Sequence, residues 1–393
     1  MSPRGPSARA AVPPFAVMSI LNRVAELRAA GRDVISLCAG EPSSGAPSDV
    51  RRAMAELMSG GVPLGYSETF GIRALREAVA GHYARWYGLA VDPRSVAVTT
   101  GSSGAFTLAF LAAFDAGDRV ALTRPGYPAY RNILTALGCA VVELDCGPDQ
   151  RFQPRVAMLE AAHAEAPLAG LVLASPANPT GTMVDADQLR ALAGWCAEHG
   201  VRLVSDEIYH GITATGDAGA CAWSSDRSAV VVSSFSKFWG MTGWRLGWCL
   251  VPDDLRPSID ALAGNFALCA PVPTQHAAVA AFTERSYTEA AAAVESFDDA
   301  RRVLLDALPA LGWGAVAPAD GAFYVYAELG DALRPYADSV AWCAALLESE
   351  GVALTPGADF DTVRGGSAVR VSLAAGPEAV ATAVGRILRF QRG

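Results

Sequence analysis

The chain has 393 residues, 31 basic against 40 acidic side chains for a formal charge of −9, and is 51% apolar and 18% charged. That balance excludes intrinsic disorder. It also makes nucleic acid or an anionic membrane a poor partner, because the arginines are dispersed and never run longer than a pair, as at Arg51-Arg52 and Arg301-Arg302. All but one of the basic residues are arginine, and Lys237 is the only lysine. The cysteines include no Cys-x-x-Cys pair and read as buried thiols of a reducing compartment. The histidines show no metal-ligand spacing.

At the N-terminus, Arg4, Arg9 and Arg23 precede the first acidic residue, Glu26, as in a transit peptide, but Pro3, Pro6, Pro13 and Pro14 would interrupt an amphipathic helix. A soluble cytoplasmic protein with a loose N-terminal arm is expected. From about residue 90 to 250, β-branched runs alternate with helical patterns, and strands are predicted at 96–100, 119–123, 140–144, 168–174, 202–206, 229–233 and 248–251. Several are apolar throughout, as strands covered on both faces must be. The expectation is therefore an α/β fold with a mostly parallel seven-stranded sheet in a large domain. An Ala-rich helical stretch at 287–311, strands at 322–327 and 368–373 and a helix at 339–350 predict a smaller α+β domain, which the N-terminal residues join.

In open parallel sheets ligands bind beyond the carboxyl ends of the strands, so the residues just after each strand come first. Gly101-Ser102-Ser103-Gly104 opens a helix, where free backbone N–H groups and hydroxyls suit a phosphate or, more plainly, form an N-cap. Ser175-Pro176-Ala177-Asn178-Pro179 predicts a rigid loop that aims one amide, with an Asn-Pro bond suited to a cis turn. Asp206 ends a buried strand and needs a cation to offset its desolvation, unless it merely caps the helix that follows. Lys237 lies among aromatic residues and glycines, in a segment unsuited to a solvated face. Arginine stays protonated at physiological pH, whereas a buried lysine can lose its proton and form a Schiff base with a carbonyl.

In order, Asn178-Pro179-Thr180-Gly181, Asp206-Glu207-Ile208-Tyr209, Ser234-Phe235-Ser236-Lys237 and Gly243-Trp244-Arg245-Leu246-Gly247 resemble the motifs of class I/II aminotransferases of the pyridoxal-phosphate fold type I group. The resemblance runs from Ala39-Gly40-Glu41-Pro42 to Val369-Arg370-Val371-Ser372. It implies an aspartate aminotransferase-like fold and pyridoxal 5′-phosphate as cofactor, held as a Schiff base by Lys237. It implies that Asp206 pairs with the pyridine nitrogen, that Asn178 and Tyr209 hydrogen-bond the ring oxygen, and that Tyr127 stacks on the ring. Ser102, Ser103, Ser234, Ser236 and Arg245 would hold the phosphate. Tyr66 would reach the phosphate of a neighbouring subunit in a homodimer with shared active sites, and Arg370, with Gly40 and Asn178, would bind the substrate carboxylate.

The domains implied are an arm with part of the small domain at 1–45, a large cofactor-binding domain at 46–286 and a small domain at 287–393. Ser43-Ser44-Gly45 departs from the acidic and aromatic residues often found there in relatives, and position 102 is Ser where many have Gly. The expected reaction is ping-pong transfer of an amino group between an L-amino acid and a 2-oxo acid. The alternative is a carbon–sulfur lyase or synthase sharing the cofactor residues. A transcriptional regulator with a similar sensor domain is the weaker expectation, because it would need a DNA-binding module ahead of Gly40.

Overall fold

A computed structural model describes residues 5–393; Pro3 and Arg4 of the expected arm lie outside the described residues. In chain order the strands are β1 (Ile35–Ser36), β2 (Val96–Thr99), β3 (Arg119–Arg124), β4 (Ala140–Asp145), β5 (Gly170–Ala174), β6 (Arg202–Asp206), β7 (Val230–Ser234), β8 (Gly247–Leu250), β9 (Tyr324–Glu328), β10 (Val352–Ala353), β11 (Thr355–Pro356) and β12 (Ala368–Ser372). Seven of them form one sheet in the order β2-β8-β7-β6-β5-β3-β4. In it β8 alone runs antiparallel to both neighbours. The carboxyl ends of β2, β3, β5, β6 and β7 therefore share one edge.

The two-residue period of a strand explains why these segments are apolar throughout. Val172, Val204 and Val232 point to one face, where they pack with Ala105, Phe106 and Phe110 of helix Gly101–Ala113. Their sequence neighbours Leu171, Leu203 and Val231 point to the other, into a second core with Leu189, Leu192 and Trp195 of helix Ala186–Glu198. Each fully buried Val or Leu contributes about 1.5–3 kcal/mol, so both faces resist a one-residue slip of register.

A second sheet, β11-β12-β9, is antiparallel, with Arg370 in the middle strand opposite Tyr326 on one side and Thr355 on the other. It packs with helix Glu284–Leu311, begun by Thr283 accepting from the Ser286 N–H and ended at Gly312 in the left-handed conformation, and with helices Ser339–Glu350 and Pro377–Arg392. The arm is not loose throughout. Residues Ala16–Ala29 form a helix begun directly after Pro13-Pro14-Phe15, where proline no longer interrupts the hydrogen-bond ladder. Val24 and Leu27 bury against Leu347 and Ala353, Arg23 pairs with Glu348 at 2.7 Å, and β1 runs parallel to β10. All eight cysteines are free and only Cys269 is half-buried, the rest being buried. No helix is long and apolar enough to cross a membrane among the described residues.

Candidate active site

At the carboxyl edge of the large sheet, register brings Thr99 of β2, Gly247 of β8 and Ser234 of β7 into one row. Helix Gly101–Ala113 starts directly above that row, and its N-cap, Thr100, makes no side-chain cap bond. The ordinary reading of Ser102 or Ser103 as the N-cap does not hold: both lie inside the first turn, Ser102 half-buried and Ser103 exposed. The approach is close enough that a Cβ on Gly247 would fall 2.8 Å from the Ser102 nitrogen, and one on Gly101 2.6 Å from an Arg245 Nη. Only glycine at these two positions lets the guanidinium lie on the helix start. Ser234 Oγ donates to Ser236 Oγ at 2.9 Å and accepts from the Ser236 N–H at 3.0 Å. First-turn amides, hydroxyls and a guanidinium thus converge as an anion cradle.

One strand over, Asp206 ends β6 with 3% exposure. Its carboxylate accepts from Tyr130 Oη and from the Ile208 N–H at 3.1 Å, and makes no ion pair among the described residues. No helix follows it, so the residue closes a turn instead of capping one. Burial pushes its carboxyl up to about 6 against the hydrogen bonds from Tyr130 and Ile208, so the cation that sequence reasoning demands is not supplied by a protein side chain at bonding distance.

Lys237 follows β7, half-buried, and donates from Nζ to the Gly40 carbonyl. Its amine is lowered to about 8, first by burial and then by the positive charge of Arg370, with Glu41 and Asp206 opposing. Its Nζ lies 5.8 Å from the Tyr209 ring centroid. Tyr209 is buried and shares a 2.8 Å hydrogen bond with Tyr324 Oη, on which Gly40 rests so closely that a Cβ would sit 2.8 Å away.

Arg370 projects from β12 toward the same cleft, 4% exposed. Nη1 donates to Asn178 Oδ1 at 2.9 Å, Nη2 to the Cys38 carbonyl at 2.7 Å, and the guanidinium lies 4.4 Å from the Tyr324 ring and 4.8 Å from the Phe360 ring. Nη1 makes only the bond to Asn178, so its second N–H remains for a ligand, while the buried Nε has no partner. Asn178 is buried in the loop after β5, and the Ser175-Pro176 and Asn178-Pro179 bonds are both cis. Tyr127, after β3, is stacked by Phe15 with centroids 6.0 Å apart and planes at 19°.

Aminotransferase class I and II is the family that matches residues 32–387. The chain belongs to that family. It is 53% identical over 367 residues, 93% of each chain, to a valine–pyruvate aminotransferase of Mycobacterium tuberculosis. The crystal structure of an aminotransferase from Mycobacterium tuberculosis superposes with a TM-score of 0.95 at 51% identity, covering 99% of this chain and all of that one. The Thermus thermophilus aspartate aminotransferase with maleate superposes with a TM-score of 0.91 at 32% identity, covering 98% and 99%.

This aminotransferase is pyridoxal-phosphate dependent, as the family is, and acts on amino acids and 2-oxo acids. Its residues fit the cofactor: a buried carboxylate without a cation, an amine lowered toward neutrality and an uncapped helix start beside a guanidinium. Of the residues expected at the site, the fold gathers all but Tyr66, which is 83% exposed and turned outward. Four that sequence reasoning missed are Tyr130, Tyr324, Phe360 and Phe15. Tyr130, one helical turn beyond Tyr127, carried the only available signal.

Proposed function

We propose that the enzyme exchanges an apolar amino acid of the valine type with a small 2-oxo acid such as pyruvate, using Lys237, Asp206 and Arg370. The observation that carries this is the one lysine, its amine lowered to about 8, in the same cleft as Asp206 and Arg370. The substrate side rests on the identity to the valine–pyruvate aminotransferase and on aromatic walls from Phe15, Tyr127, Tyr324 and Phe360. The nearby Arg124 and Arg364 are committed to carboxylates, to Asp361 among others, and are poor partners for a substrate side-chain carboxylate.

Pyridoxal phosphate, when bound, supplies an aldehyde for the amino group and a sink for the electrons of the broken Cα–H bond. Lys237 Nζ would bond that aldehyde, and its amine would be the base that takes the proton from the substrate α-carbon. Asp206 holds a proton at the ring nitrogen. Asn178 and Tyr209 would hydrogen-bond the ring oxygen, and Tyr127 would pack on the ring. Ser102, Ser103, Ser234, Ser236 and Arg245 would hold the phosphate. Arg370 orients the substrate carboxylate so that the Cα–H bond faces Nζ, with Gly40 lining the opposite wall.

On the same reading the enzyme is a cytoplasmic homodimer, consistent with its free, mostly buried thiols. Residues 46–286 are its cofactor domain, and 1–45 with 287–393 the smaller one. Tyr66 then completes the partner's phosphate site, and its exposure, with exposed Val62 lining the same surface cavity, supports a subunit interface. In mixtures of Tyr66→Ala and Lys237→Ala subunits the lysine-bearing site of each hybrid dimer should regain wild-type cofactor affinity, because that site is intact; a hybrid that keeps the affinity of the Tyr66→Ala homodimer refutes sharing.

The substrate test uses holoenzyme and single amino acids without an oxo acid. Valine should convert the cofactor to its amine form, followed by its visible absorbance, while aspartate converts it far more slowly. The reverse order would overturn the apolar assignment, and release of ammonia would replace transfer by elimination.

A further inference from the structure

Tyr127 and Arg370 lie far apart in the chain, yet one pair of contacts joins the segments that carry them. Arg124 ends β3, three residues before Tyr127, and is 14% exposed in its side chain. Its Nε lies 3.4 Å from Oδ1 of Asp361, which is 2% exposed and directly follows Phe360, the ring that covers Arg370. Beside it, the Gly126 N–H donates to the Phe360 carbonyl at 3.1 Å. The loop after β3 and the turn at Phe360 are thus tied twice, once by charge and once by backbone.

The ionic tie is made by charge without directed hydrogen bonds. Arg124 is shared among Asp361, Asp145 at 3.2 Å and Glu143 at 3.7 Å, and its buried Nε has no hydrogen-bond acceptor. Asp361 in turn spends Oδ1 on the N–H groups of Val363 and Arg364, at 2.9 and 2.8 Å, and lies 3.5 Å from Arg364 Nε. A purely structural staple would be expected to close such a pair bidentately. A guanidinium held loosely among three carboxylates can instead shift with the turn while remaining compensated.

We propose that Arg124 and Asp361 are positioning residues that couple the substrate-carboxylate site at Arg370 to the seating of the cofactor at Tyr127. The proposal rests on the roles assigned above to Arg370 and Tyr127. A carboxylate on Arg370 draws on Phe360; Asp361 and the Phe360 carbonyl carry that shift to Arg124 and Gly126, and so to the loop that presents Tyr127. Coupling of this kind is reciprocal, so tighter cofactor packing also favours the carboxylate site.

The test is Asp361→Asn in the holoenzyme. The amide oxygen can keep both backbone N–H bonds, while the charge facing Arg124 and the acceptor 3.5 Å from Arg364 Nε are lost. KM for the amino acid should rise about tenfold, the scale for residues within one ion-pair network, with kcat within about twofold. Cofactor loss on dialysis, followed by visible absorbance, should accelerate several-fold. Arg124→Gln should reproduce both effects, and the double variant should be no worse than either single one. Should Asp361→Asn fail to fold, Arg124→Gln decides by the same two readouts.

A variant that melts earlier but keeps wild-type KM and cofactor retention overturns the proposal, and so does a double variant whose effects multiply. Arg370→Lys and Tyr127→Ala serve as controls. If they too leave KM and cofactor retention unchanged, the site assignment fails; if they impair them and Asp361→Asn does not, only the coupling fails.

Discussion

The phosphate end of the site and its ring-and-carboxylate end are built by opposite means. At the phosphate end, Ser102, Ser103, Ser234, Ser236 and Arg245 come from short segments at strand and helix ends, and Arg245 and Ser103 remain exposed. Backbone register and two glycines set their geometry. At the ring end, Asp206, Tyr209 and Arg370 are buried and held by side chains from remote segments: Tyr130, Tyr324 and Asn178. A cradle of several donors tolerates loss of one because the others remain, as the buried Ser234 hydroxyl keeps the Leu246 carbonyl at 3.1 Å, whereas a buried group stripped of its one side-chain partner bears the desolvation cost. Substitutions at the ring end should therefore cost more than those at the phosphate end.

Lys237→Arg is the most severe. It keeps the charge but loses the only side-chain amine, so turnover should fall by about a thousandfold or more. Borohydride reduction of the holoenzyme should fix the cofactor to a side chain in the wild type and not in this variant, and substantial turnover without that amine would end the comparison.

Asp206→Asn retains an oxygen for Tyr130 and the Ile208 N–H but cannot keep the ring nitrogen protonated. A loss in kcat of about a hundredfold is expected in steady-state kinetics. A loss like that of a phosphate-end variant would mean that the buried carboxylate does not set the chemistry.

The pH dependence of cofactor uptake ranks next. Because the Lys237 amine is lowered to about 8 from its ordinary 10.5, the unloaded protein carries it protonated, hence unreactive, below that value. The rate of absorbance change on adding pyridoxal phosphate should fall about tenfold for each pH unit below about 8 and level off above it. A plateau reached only above about pH 10 would show that burial does not tune the amine.

Tyr324→Phe leaves the buried Tyr209 hydroxyl without its 2.8 Å partner and should lower kcat/KM about fivefold, near 1 kcal/mol. Smallest of all, Ser236→Ala should weaken cofactor binding two- to fivefold in a titration, since the Ser234 hydroxyl and the first-turn amides remain. If these two changed places, the contrast between the ends would be wrong.

The large sheet was legible because its strands are apolar on both faces, and β6 falls on residues 202–206 as the pattern predicts. Elsewhere boundaries moved by one or two residues, as at β5, which begins at Gly170 instead of residue 168. The helix at Ala16–Ala29 was missed for a physical reason. Val17, Ile20, Leu21, Val24 and Leu27 do follow helical spacing and pack on one cluster, but the four prolines ahead of them dominate the sequence of the arm. Its neighbour Phe15 reaches Tyr127 through tertiary packing that no local pattern encodes.

What the sequence determined by itself was the chemistry available: one amine, a carboxylate at the end of a buried strand, and glycines where a backbone must come close. Those depend on residue identity and local order, which are read directly. Only the tertiary structure decided which partners hold the buried groups. Tyr130 reaches Asp206 across 76 residues and Asn178 reaches Arg370 across 192, and contacts at such separations arise from strand order and layer packing. Charge and burial follow the same division. That the one lysine is depressed rather than solvated depends on the walls that Arg370, Tyr209 and Gly40 build around it, and those walls come together only when the two sheets face each other across the cleft.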